Sequence, residues 1–138
     1  MGYLGENIKK LGFGLMRLPQ KEDGTIDVEQ TKQMVDLFMK AGFTYFDTAW
    51  AYAGSEDAIR QALVERYPRD SYQLATKNAA WIQCKTKEEA YGQFDTSLKQ
   101  TGAGYFDFTC CTIWGRAVQN ILTITICGTG FRKRKRRD

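Results

Sequence analysis

Gly42-Phe43-Thr44-Tyr45-Phe46-Asp47-Thr48-Ala49-Trp50-Ala51-Tyr52-Ala53-Gly54-Ser55-Glu56-Asp57 is one passage from a strand into a helix. Gly42 suits the left-handed position that ends a preceding helix. Residues 43–46 are aromatic and β-branched, the composition of a buried strand. A loop then carries Asp47 to Gly54. Ser55 can cap the helix that follows, and Glu56 and Asp57 in its first turn favour the positive end of the helix dipole. Ala58, Ile59, Ala62 and Leu63 give that helix an apolar face, and Pro68 stops it.

The same passage recurs on either side. Upstream, Lys10 to Leu18 reads as a short glycine-interrupted strand near 11–16, and Pro19 to Gly24 as a loop. Asp27 with Gln30 has capping-box spacing for a helix near 28–40. Thr31, Met34, Val35, Phe38 and Met39 form its apolar face. Downstream, a strand is expected near 73–76. Thr86 and Glu89 make a capping box for a helix near 87–100 with Ala90, Tyr91, Phe94 and Leu98 on its apolar face. Gly102 and Gly104 close it before a strand near 105–108. Strands end about thirty residues apart, the size of a βαβ unit. Right-handed crossovers then give a parallel sheet. A doubly wound sheet and a (β/α)8 barrel are both built this way, and in either the chemistry sits at the C-terminal ends of the strands.

The 138 residues fit one domain, and 43% hydrophobic with 13% aromatic content suits a globular core. The net charge of +4 comes from the run Arg132 to Arg137. Without residues 132–138, 14 of the 20 basic and 15 of the 16 acidic residues remain, so the body sits near −1. No apolar run approaches the roughly 20 residues that span a bilayer, and the N-terminus lacks the pattern of a signal peptide. A cytoplasmic setting is expected. The cysteines, Cys84, Cys110, Cys111 and Cys127, form no C-x-x-C pair, and a reduced compartment is the default. The chain contains no histidine, which excludes Ser-His-Asp and Cys-His catalysis and His-containing zinc sites within it.

Asp47, Tyr52 and Lys77 are the polar residues placed just after strand ends. A carboxylate, a phenol and an ammonium at one rim can act together. The carboxylate orients the ammonium, and the ammonium favours the phenolate. Such a tyrosine can exchange a proton with a carbonyl or alcohol oxygen. Residues of these types at strand ends are also common as solvated loop residues or structural ion pairs. Trp50 and Trp81 fit rim packing as well as substrate contact.

The stretch Phe46-Asp47-Thr48-Ala49-Trp50-Ala51-Tyr52, followed by Gly54-Ser55-Glu56, resembles the aldo-keto reductase signature. Leu11-Gly12-Phe13-Gly14-Leu15-Met16-Arg17-Leu18-Pro19 is similar to that family's first barrel strand, and Leu74-Ala75-Thr76-Lys77 to the strand ending in its lysine. The motifs follow the family's order over residues 3–108. The resemblance implies an α/β fold that is a partial (β/α)8 TIM barrel, the N-terminal half only. It implies catalytic residues Asp47, Tyr52 and Lys77, with Tyr52 as general acid, Lys77 easing its ionisation and Asp47 bonded to Lys77. Gly14, Leu15, Met16 and Asp47 would bind the cofactor NADP(H). The partner would be a small-molecule carbonyl or alcohol substrate, with no membrane. No metal site is expected. The three catalytic side chains should converge, the ammonium near both the Tyr52 oxygen and the Asp47 carboxylate. A short hairpin near 3–10 should cover the barrel bottom.

One departure stands out. The family's pattern places a histidine after the fourth strand, and Asp107-Phe108-Thr109-Cys110-Cys111-Thr112 has Thr112 there. The codons of Thr-Cys-Cys-Thr-Ile-Trp-Gly, read one nucleotide earlier, can encode Tyr-Leu-Leu-His-Asn-Leu-Gly. Residues 1–108 are therefore expected to be the barrel half, and residues 109–138 an out-of-frame, poorly packed basic tail. The alternative is a genuine, divergent C-terminal segment. A basic run can bind nucleic acid, but no stacking platform or recognition helix accompanies it, so no nucleic-acid partner is expected. An oxidoreductase lineage with an inactive chain is the reading of function. A non-catalytic family member or a basic-tailed binding protein is the alternative.

Overall fold

The computed structural model describes residues 9–111. Within them the chain alternates strand and helix: β1 (Gly12–Gly14), α1 (Val28–Lys40), β2 (Tyr45–Asp47), α2 (Ser55–Ile59), β3 (Gln73–Asn78), α3 (Ala80–Gln83), α4 (Lys87–Thr101) and β4 (Phe108–Cys111). The four strands pair in the order β1-β2-β3-β4, every pair parallel. Successive parallel strands joined by helices are the N-terminal half of a (β/α)8 barrel.

Local chemistry explains the boundaries. The Asp27 carboxylate accepts a hydrogen bond from the Gln30 N–H at 3.0 Å and starts α1. Gly42, at φ +79°, lies just beyond its end. The Thr86–Glu89 capping box is complete at the start of α4. α2 begins differently from its sequence expectation. Gly54 occupies the cap position at φ +72°, and no side chain caps the helix. Ser55 is the first helical residue, with its hydroxyl directed elsewhere. α2 then runs into a π-helical turn, Arg60–Val64, closed by the Glu65 N–H on the Arg60 carbonyl at 3.0 Å.

Strand alternation divides the sheet into two faces. Phe13 and Phe46 face α1, each ring centroid 5.3 Å from that of Phe38. Val35, Phe46, Ile59, Leu63 and Leu74 are fully buried in this helix–sheet layer. The opposite face carries Tyr45 and Phe108, whose rings meet at 5.6 Å, together with Gly14, Asp47, Ala75 and Lys77.

The structure departs from the sequence expectation in three further places. The last strand is 108–111 rather than 105–108. Tyr105 and Phe106 look like strand residues, but Phe106 is buried against Phe94 of α4 (centroids 5.8 Å apart), and Asp107 pins the chain to β3 before the strand begins. Thr109, Cys110 and Cys111 therefore continue a strand where regularity was expected to end. α4 buries Gln93, Ser97 and Thr101 beside Ala90, so its inner face is more polar than its apolar spacing predicts. These groups serve hydrogen bonds: the Gln93 amide oxygen accepts from the Ala79 N–H at 3.2 Å. α3 is a single turn with no side-chain cap, and no capping or periodic signal in the sequence marks it. Of the expected hairpin near 3–10 only Lys9 and Lys10 are described. Thr112 and the basic tail lie outside the described residues.

Candidate active site

Lys77 follows the buried residues Ala75 and Thr76 on β3, and its chain reaches the barrel-interior face. Asp47 ends β2 on the same face, its Cα partner on β3 being Ala75. The Lys77 ammonium donates to Asp47 Oδ2 and to the Thr48 carbonyl, the latter at 3.1 Å. Side-chain exposures of 25% for Lys77 and 33% for Asp47 leave this pair accessible from the interior.

Tyr52 comes from the loop between β2 and α2. Lys77 Nζ lies 5.2 Å from the centroid of its ring, over the ring face. The three sequence-predicted catalytic side chains thus converge, with the cation addressing the aromatic ring rather than hydrogen-bonding the phenol. Two turn bonds hold the loop: the Tyr52 N–H on the Ala49 carbonyl and the Ser55 N–H on the Tyr52 carbonyl, each at 3.0 Å. The Trp50 N–H donates to the Lys77 carbonyl at 3.1 Å, which ties the loop to β3.

The residues expected to meet a cofactor divide. Gly14 stands next to Asp47 in register, and an added Cβ there would meet nothing within 4 Å, so the space in front of it is open. Met16 is 62% exposed. Leu15 is different: at 1% exposure its side chain belongs to the hydrophobic core. Its carbonyl is engaged by the Ser55 hydroxyl at 2.9 Å. Leu15 lies just beyond β1, with its side chain in the core while Met16 beside it is exposed.

Two neighbours were not singled out as site residues by the sequence. Tyr45 lies on the interior face below Asp47, and burial, then the Asp47 charge, pushes its phenol up from the ordinary value. Glu56 is 2% exposed behind the site. The Thr76 hydroxyl donates to its Oε1 at 2.9 Å and the Ser97 hydroxyl supports the carboxyl, while Oε2 has no hydrogen-bond partner among the described residues. Burial pushes this carboxyl above the ordinary carboxylate value. The signal available for Glu56 was its place in the first turn of α2, which suggested a partner for the helix dipole. Among the described residues no cluster of His, Cys, Asp and Glu could hold a metal ion.

The fold that carries these residues has counterparts among solved structures. A family model described as the aldo/keto reductase family matches residues 10–129. The chain belongs to the aldo/keto reductase family. It is 27% identical over 103 residues to an aldo-keto reductase of Mycolicibacterium smegmatis, covering 75% of this chain and 34% of that protein. The solved aldo-keto reductase from Klebsiella pneumoniae in complex with NADPH superposes with a TM-score of 0.67 at 21% identity, covering 84% of this chain and 39% of that one. The aldo/keto reductase from Brucella melitensis gives 0.54 at 28% identity, over 71% and 34% of the two chains. The chain therefore spans about a third of the length of the relative from Mycolicibacterium smegmatis. In this aldo/keto reductase half-barrel, no helix among the described residues is long and apolar enough to cross a membrane.

Proposed function

We propose that the chain carries the proton-transfer side of an NADP(H)-dependent carbonyl reductase site. The observation that supports it most is the meeting of Asp47, Lys77 and Tyr52 from two strand ends and a loop. In this reading the Tyr52 hydroxyl donates its proton to the oxygen of a small carbonyl substrate, or takes one from an alcohol. The Lys77 ammonium stabilises the negative charge that stays behind on the phenol oxygen. Asp47 and the Thr48 carbonyl keep that ammonium fixed while the charge moves. NADP(H), when bound, supplies the hydride. The residues fit its reactive end: Gly14 has open space in front of it beside Asp47, and Met16 stands exposed. Leu15 takes part through its backbone position alone.

The division of the chain belongs to the same proposal. Residues 1–108 are the barrel half and residues 109–138 an out-of-frame basic tail, with Thr112 where the family pattern has histidine. That β4 reaches Cys111 agrees with either frame, because Thr and Cys are both tolerated in a short parallel strand. The protein is cytoplasmic in this reading, and neither nucleic acid nor membrane is a partner.

The test uses NADPH and 4-nitrobenzaldehyde, followed by absorbance at the nicotinamide band. The 138-residue chain is expected to show no turnover. A protein with the frame restored from residue 109 and extended to the full barrel is expected to turn over, and to lose turnover on Tyr52→Phe or Lys77→Met. A restored protein that folds and stays inactive would overturn the reductase reading in favour of a non-catalytic family member. Turnover by the chain itself, abolished by Tyr52→Phe, would overturn its expected inactivity and show that a half-barrel suffices.

A further inference from the structure

We propose that Thr48 and Ser55 form a buried hydroxyl clasp that positions Tyr52 over Lys77 and locks the end of β1 to the same loop. The two residues bracket the loop that carries Tyr52. Thr48 is 0% and Ser55 1% exposed, and their hydroxyl oxygens are 2.8 Å apart. Direction follows from proton counting. The single Ser55 hydroxyl proton goes to the Leu15 carbonyl at 2.9 Å, so the Thr48 hydroxyl donates to Ser55 Oγ. The chain of bonds runs from the end of β2, through the start of α2, to the residue that follows β1.

Each end of the clasp touches the proposed proton-transfer group. The Thr48 carbonyl accepts from Lys77, and the Ser55 N–H closes the turn on the Tyr52 carbonyl at 3.0 Å. Leu15 is tied in turn to the site strand, its N–H donating to the Asp47 carbonyl at 2.9 Å. Releasing the clasp would free the backbone under Tyr52 while leaving the strands paired.

Packing alone does not require these hydroxyls. Val at 48 and Ala at 55 would fill nearly the same space without burying polar groups, whose burial is tolerable only when they are bonded. Ser55 is also withdrawn from its usual use as a helix cap, that position being filled by Gly54. Thr48 and Ser55 are positioning residues: they act on Tyr52 and Lys77. The inference rests on the reading of Tyr52 as the proton donor, but its test does not depend on turnover.

The test is made by NMR on the full 138-residue chain. Lys77 lies over the Tyr52 ring face, so its ε-methylene protons should be shifted upfield by the ring current, with Tyr52→Leu defining the unshifted position. Ser55→Ala and Thr48→Val are expected to lose more than half of that offset. They should speed amide exchange at Tyr52 and Ser55 roughly tenfold, the scale of one lost buried hydrogen bond. Ser55→Thr and Thr48→Ser should restore both readouts, and the amides of Val35 and Leu74 should stay near wild type. Unchanged Lys77 shifts and unchanged exchange in both hydroxyl-deletion variants would overturn the clasp. So would uniform acceleration at all amides, failure of both variants to fold, or a wild-type chain with no offset from Tyr52→Leu. If Ser55→Ala alone fails to fold, Thr48→Val decides. A clasp that passes beside an inactive restored protein would mean that the reductase reading alone has failed.

Discussion

The two ends of the sheet each carry a cation bridged to a carboxylate, and the pairs are finished differently. At the N-terminal end Arg69 binds Asp107 at 2.7 Å, the Tyr105 carbonyl at 2.8 Å and the Tyr72 carbonyl at 3.1 Å. Its guanidinium carbon lies 3.7 Å from the Tyr105 ring centroid and 4.9 Å from that of Tyr72. Asp107 also accepts the Leu74 N–H at 2.8 Å. At the C-terminal end Lys77 has one carboxylate and one carbonyl among the described residues, an aromatic face beside it, and open space in front of Gly14 nearby. A guanidinium held by two rings and two carbonyls is a fastening. An ammonium with a third proton to spare, facing the barrel interior, is available to chemistry.

Removing the Arg69 fastening should have the largest effect. Arg69→Met takes the cation from Asp107 and the side-chain donor from two carbonyls, and is expected to lower unfolding free energy by about 2–3 kcal/mol in urea titrations. A loss below about 0.5 kcal/mol would erase the contrast between the two ends.

Glu56 extends the contrast to a carboxyl that has hydroxyls in place of a cation. Its folded-state pKa is raised, so its contribution to stability is complete below the ordinary value near 4.5 and is lost as pH rises through the folded value. Wild-type melting temperature should therefore fall toward neutral pH. Glu56→Gln should flatten that slope and gain on wild type at pH 8 relative to pH 5. Parallel profiles for the two proteins would show that burial does not raise the Glu56 carboxyl.

Lys77→Met comes next. The pair is a quarter to a third exposed, so its loss is expected to change stability by about 1 kcal/mol or less, even though the restored protein would lose turnover. A cost equal to that of Arg69→Met would make the upper pair a fastening too. Asp36 should show the smallest effect. It pairs with Arg66 at 2.7 Å between α1 and the segment after α2, with both side chains substantially exposed. Hydrogen bonds from Arg66 first, then Tyr67, hold its carboxyl below the ordinary value, so its contribution is present above that value and fades as pH falls. Asp36→Asn is expected to cost no more than about 0.5 kcal/mol at pH 7.

The sequence made the alternation of elements legible because each signal was local. Asp27 with Gln30, Thr86 with Glu89, and Gly42 mark helix ends through bonds or backbone angles within a few residues. Asp47, Lys77 and Tyr52 were legible for a related reason: each stands at the C-terminal end of a strand or in the loop that follows it. What was hidden depends on distant partners. The fate of the Ser55 hydroxyl is decided by Leu15, forty residues earlier. The start of β4 is set by Asp107 reaching Leu74 and Arg69. The polar inner face of α4 makes sense only beside Ala79 and Glu56. The ring-face approach of Lys77 to Tyr52 is likewise a matter of three-dimensional placement.

Gly14, Asp47, Ala75 and Phe108 form one row across all four strands on the interior face, beside a lower row containing Gly12 and Tyr45. Behind them, in register on the other face, stand Phe13, Phe46 and Leu74. Tyr45 and Phe108 bring aromatic rings to the interior face as well, and the missing side chain of Gly12 leaves the space that the Tyr45 ring occupies. A Cβ placed on Gly12 would come within 2.9 Å of the Tyr45 ring. Gly12→Ala should therefore push the Tyr45 ring away from β1 and disturb the ring contact it makes with Phe108.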